Sequence, residues 1–111
     1  MRALKRSGPR WKLSWPASDI PVDHPITQAI ASAHTQAAEG QTRFDPAPNF
    51  QGFAAVCDAA FLNIEGIPAV VYGPGNLLVA HAMNEYVEIE EVIQSTKAFA
   101  IAAMDWCGVA S

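Results

Sequence analysis

Ile67–Tyr72 (IPAVVY) is a continuous apolar run fenced by Gly66 on one side and Gly73-Pro74-Gly75 on the other. It shows no polar–apolar alternation, so it reads as a strand buried on both faces, the pattern of a parallel sheet in an α/β protein. Such a strand needs neighbours on its edges and cover on both faces, which limits what the rest of the chain can be. The glycine-proline loop lies at its carboxyl end, where open α/β sheets bind their ligands. A single histidine, His81, follows six residues later, and Glu85 lies four residues beyond it.

The flanking segments read as supports. Trp11, Leu13 and Trp15 alternate with Lys12 and Ser14, the period of a short strand that Pro16 ends. Residues 1–10 have no apolar period and read as a disordered lead-in. Asp23 is placed to cap a helix to about Glu39, with Pro25 tolerated in its first turn and Gly40 as a left-handed stop. Ile26, Ala29, Ile30, Ala33 and Ala37 form its apolar face, which is small enough to pack closely, as against a sheet. Residues 41–44 read as another short strand. DPAPNFQG at 45–52 is the clearest composition break and reads as a domain boundary.

Beyond that break, Asp58 is positioned to cap a short helix, Ala59–Asn63, ahead of a turn at Glu65-Gly66. The last helix spans about Glu88 to Trp106. Ile89, Val92, Ile93, Thr96, Ala100, Ala103, Met104 and Cys107 follow helical spacing, and Gly108 stops it. Glu88, Glu90 and Glu91 sit at its start, where they favour the positive end of the helix dipole.

Bulk properties exclude several functions. With 111 residues, half of them apolar, the chain suits one domain or part of a larger one. A net charge of −4 leaves no basic face for nucleic acid, and five of the seven cations lie in the first twelve residues. No apolar run nears the roughly 18 residues that span a bilayer, and no secretion signal follows the basic start. The composition is that of a cytoplasmic protein. Cys57 and Cys107 have no metal or redox spacing and read as buried thiols outside any disulfide.

His81 is the sharpest chemical candidate. A neutral imidazole on a loop at the mouth of a sheet can hold zinc, and Glu85 could orient it by a hydrogen bond. An exposed loop histidine reads equally well from spacing alone. His24 and His34 read as a turn residue and a helix-flank residue. Zinc takes three or four protein ligands, and no HxH, HxD or HExxH pair groups ligands here, so the chain offers one corner of a site.

Four motifs in order, Cys57-Asp58-Ala59, Gly66–Val71 (GIPAVV), Gly73-Pro74-Gly75 and Ala80–Val87 (AHAMNEYV), resemble the C-terminal signature of the dinuclear-zinc amidohydrolases. That superfamily includes acetylornithine deacetylase, succinyl-diaminopimelate desuccinylase and the aminoacylases. PVDHPITQAI at 21–30 is similar to the opening of the last helix in the family's inserted domain. The resemblance spans about residues 13–107 and is nearest to the acetylornithine deacetylase branch of arginine biosynthesis. Three positions depart from the common pattern. Ala82-Met83-Asn84 stand where Thr-Pro-Asp is frequent, Trp15 where some relatives have a carboxylate-gripping arginine, and Cys57 where serine or threonine is commoner.

The resemblance implies an α/β fold of which this chain is the C-terminal part. Residues 11–50 would end an α+β lid and dimerisation domain, and 51–111 would end the catalytic domain. It implies His81 as a ligand to zinc, or to cobalt in its place. Asp58, Gly73, Gly75 and Glu85 are implied as substrate-binding or supporting residues. The other ligands and the glutamate base that activates water would lie in an upstream part. The whole enzyme would deacylate N-acyl amino acids and pair as a homodimer through its lid, and this chain alone would be inactive. A non-catalytic binding or dimerisation module on the same fold is the alternative.

Overall fold

The structure, a computed structural model, describes residues 19–53 and 55–110. Its elements are α1 (Pro25–Ala38), α2 (Ala59–Ile64), a single 3-10 turn (Leu77–Val79) and α3 (Ile89–Cys107). The expected strand at Trp11–Trp15 lies outside the described residues. Among those residues there is no strand, so the expected last strand of an α/β fold is not seen here, and what is seen is helical, with α1 packed on α3.

Helix α1 begins one residue later than expected, and the cap is His24 in place of Asp23. The residue before a proline is driven to extended backbone, which is the conformation an N-cap needs. His24 accordingly has φ −60° and ψ 140°, and its Nδ1 accepts from the Ile26 N–H at 3.1 Å. Gly40 takes φ +77° just past the end, as its position predicts.

The alanine face of α1 meets a helix in place of the expected sheet. Ala33 and Ala98 are both 0 % exposed, and with Ala37 they form the core, flanked by Tyr72, Ile101 and Ala102. Alanine on both sides lets the two helix backbones approach closely, which a leucine or isoleucine seam would prevent. This choice overturns the expected face of α3. Its buried residues are Gln94, Ser95 and Ala98, whereas Ile89, Val92, Ile93 and Met104 are exposed. Among the described residues no large side chain is fully buried.

Residues 41–44 are irregular where a strand was expected. Arg43 there pairs with Glu90 and, at 3.5 Å, with Glu88, so the segment is pinned to the start of α3 by charge rather than by a ladder. Helix α2 ends in a Schellman arrangement: Ile67 N–H reaches Leu62 O at 2.9 Å and Gly66 N–H reaches Asn63 O at 3.2 Å, with Gly66 at φ +78°. Asp58 stands at the cap position, but its backbone is already helical and its side chain makes no capping bond. Cys57 O accepts from Ala60 N–H, so the turn starts one residue before Asp58.

The apolar run 67–72 forms no ladder. Its nearest substitute is the Asn63 side chain, which accepts from Ala69 N–H at 2.7 Å and donates to Ala69 O at 3.1 Å. A strand exists only through its neighbours, and the described residues offer this run one amide in place of one. At its end Tyr72 ties three segments together. Its hydroxyl lies 3.0 Å from His34 Nδ1 and its ring stands edge-on to His34 and Phe99. The other His34 nitrogen, Nε2, donates to Asp45 O at 2.8 Å. Nδ1 is then the acceptor and the tyrosine the donor. Cys57 is half-buried and Cys107 exposed, so the expectation of two buried thiols fails for Cys107 at the open end of α3; neither is in a disulfide.

Candidate functional site

The loop that carries His81 is built by short local bonds. Asn76 Oδ1 accepts from Leu78 N–H at 2.9 Å and starts the 3-10 turn. Ala80 N–H then returns to Leu77 O, Ala82 N–H to Val79 O and Glu85 N–H to Ala82 O, each at 3.2 Å. These successive turns leave His81 at φ +63°, the single non-glycine residue with positive φ among the described residues. That conformation disfavours a Cβ-bearing residue and occurs often at functional positions.

The glycine-proline loop is anchored from α3. Gly75 N–H donates to Glu91 Oε2 at 2.9 Å. Gly75 has φ +104°, which is why glycine stands there, since a Cβ would meet only Val87 Cγ2 at an ordinary 3.8 Å. The loop and the first turn of α3 enclose a hollow of about 130 Å³ beside Asn76, Val79 and Tyr86. Sequence reasoning placed Glu91 only as a dipole partner and missed it as an anchor. An acidic first turn near a glycine loop was the available signal.

His81, Asp58, Gly73, Gly75 and Glu85 are all exposed. His81 and Glu85 share the same series of turns, but no hydrogen bond joins their side chains, and Asp58 lies on α2. Among the described residues, no three histidine, cysteine, aspartate or glutamate side chains come together around a point that could hold a metal ion. A closed or catalytic zinc site takes at least three, so these residues present one well-suited imidazole and do not complete a site by themselves. No helix among them is long and apolar enough to cross a membrane.

The site residues thus reduce to a solvent-facing imidazole on a left-handed turn, six residues after a GPG loop that Glu91 anchors from α3. The sequence pattern of peptidase family M20/M25/M40 matches residues 9–105, and the chain belongs to that family, a group of metal-dependent hydrolases. Among curated proteins it is similar to the N-formyl-4-amino-5-aminomethyl-2-methylpyrimidine deformylase of Bacillus subtilis (strain 168), with 32% identity over 84% of this chain and 20% of the relative. The deformylase of the same name from Halalkalibacterium halodurans is 42% identical over 47% of this chain and 12% of its own length. Acetylornithine deacetylase of Myxococcus xanthus is 42% identical over 39% of this chain and 11% of its own length. The chain thus spans about a fifth or less of the curated relatives it matches. No solved structure matches it.

Proposed function

We propose that the chain is the C-terminal part of a metal-dependent amidohydrolase that removes a small acyl group from an N-acyl amine, with His81 as its contribution to the metal. The observation that carries this reading is the family match across residues 9–105, which includes His81 in its AHxxxEYV setting. Hydrolysis at such a site cleaves the acyl C–N bond and yields a free amine and a carboxylate. A metal held there supplies Lewis acidity toward the acyl carbonyl. The chain's own part is to present the exposed histidine on a left-handed turn and to brace the GPG loop from α3 through Glu91.

The deformylase likeness runs along 84% of the chain, whereas the acetylornithine deacetylase likeness covers 39%. This favours an N-formyl amine over N-acetylornithine as the substrate class. In the same reading, residues 11–50 close the lid domain and 51–111 the catalytic α/β domain, with pairing of two copies through the lid. The uncovered bulky face of α3 and the unladdered run 67–72 are where the remaining sheet would sit.

The reading is tested with a chimera in which this chain replaces the matched segment of the B. subtilis deformylase. Release of formate from N-formyl amines, faster than release of acetate from N-acetylornithine, is the expected result. A folded chimera that hydrolyses neither amide would overturn the reading.

A further inference from the structure

His34 reads from the sequence as a helix-flank residue, yet both of its ring nitrogens are engaged. Nε2 donates to Asp45 O at 2.8 Å, and Nδ1 accepts from the Tyr72 hydroxyl at 3.0 Å. Bonds at two edges of the ring fix the plane of the imidazole. Thr35, the next residue of α1, donates through Oγ1 to Pro46 O at 2.8 Å, so the same 45–46 segment is held to the helix twice.

Tyr72 directly precedes Gly73-Pro74-Gly75. A loop with two glycines in three residues has little stiffness of its own, so its ends decide where it sits. The far end is tied to α3, where Gly75 N–H donates to Glu91. The near end is Tyr72, whose ring stands edge-on to His34 of α1 at 5.8 Å and to Phe99 of α3 at 5.4 Å. Edge-on ring contacts hold over a range of separations, whereas the hydroxyl bond sets one distance and direction. A sheet completed along 67–72 would use the backbone groups of that run and leave this side-chain contact in place.

We propose that His34 is a positioning residue of the hydrolytic site. Through the Tyr72 hydroxyl it sets the entry of the GPG loop relative to α1, and so the placement of Gly73 and Gly75 toward a substrate. Its effect on turnover rests on the hydrolase reading; its effect on the order of the loop does not.

Two variants test this: His34→Phe, which keeps a ring on α1, and Tyr72→Phe, which removes the hydroxyl alone. In the ¹⁵N-labelled 111-residue protein the backbone order parameters of Gly73 and Gly75 should fall in both variants, from about 0.85 toward about 0.6. Those of α1 and α3 should stay at the parent values, which also shows that the variants are folded. In the deformylase chimera kcat should fall about tenfold in each variant, the cost of one hydrogen bond, with KM changed less. The double variant should be no slower than His34→Phe, because both changes remove the same bond. Loop glycines as ordered as in the parent, a parent-like kcat in both variants, or a double variant slowed by the product of the two single effects overturns the proposal. A parent chimera without activity defeats the hydrolase reading instead, and the order parameters alone then decide whether His34 holds the loop.

Discussion

Ala98→Leu probes the contact that holds the described residues together. Ala98 is fully buried against Ala33 and Ala37, with Tyr72, Ile101 and Ala102 at the margin. Leucine adds three carbon atoms where two helix backbones are already close, and forcing such atoms into a packed seam costs about 1–3 kcal/mol. Helix propensity does not blur this, since alanine and leucine differ by only a few tenths of a kcal/mol, roughly, at a helix interior. Ala100→Leu, at an exposed position of the same helix, carries that small difference alone. The comparison is made by urea unfolding followed by circular dichroism at the helix band. With a slope of about 1–2 kcal/mol per molar for a chain this size, the midpoint of Ala98→Leu should fall by roughly 1–2 M. Because no large side chain is fully buried, that loss is a large share of the stability. A midpoint for Ala98→Leu equal to that of Ala100→Leu would show that α1 and α3 do not pack through this face.

Three further outcomes follow from the same geometry. Asn63→Ala removes both side-chain bonds to Ala69 and should cost about 1–3 kcal/mol by the same unfolding assay, with amide exchange rising first at Ala69. Burial pushes the Tyr72 phenol above its ordinary value, so the unfolded chain loses that proton first as pH rises. The stabilising contribution is therefore complete below about pH 10 and is lost as pH climbs through the folded-state value, a fall that Tyr72→Phe should abolish. Glu91→Ala should speed hydrogen exchange at Gly75 with little change in global stability, because the bond it removes is exposed.

Local punctuation made the helices legible. Pro25 with Gly40, and Gly108 after Cys107, mark ends that depend only on a few neighbouring residues, and the structure keeps them to within a residue. The cap moved from Asp23 to His24 because the constraint that Pro25 puts on its neighbour outweighs aspartate's intrinsic preference. The pairing of faces was not legible. Val92 and Ile93 form the more apolar stripe on α3, yet Ser95 and Ala98 are buried because the partner helix offers alanines. Strand character at 41–44 and 67–72 depends on partners far away in sequence, and the described residues provide a salt bridge and an asparagine in their place. At the candidate site, the motif around His81 could be read from its resemblance. Its left-handed backbone and the Glu91 anchor arise from turns and contacts that no spacing rule encodes. The burial of Gln94 was invisible for a related reason, since a glutamine on a helix flank reads as a solvated residue until its packing is known.

The most direct measurement is the bound-metal content and turnover of the deformylase chimera with and without His81→Ala, both variants verified as folded. Loss of about one metal ion per chain together with at least a hundredfold fall in hydrolysis is the predicted result. A folded His81→Ala chimera that keeps its full complement of metal and its rate would contradict the account.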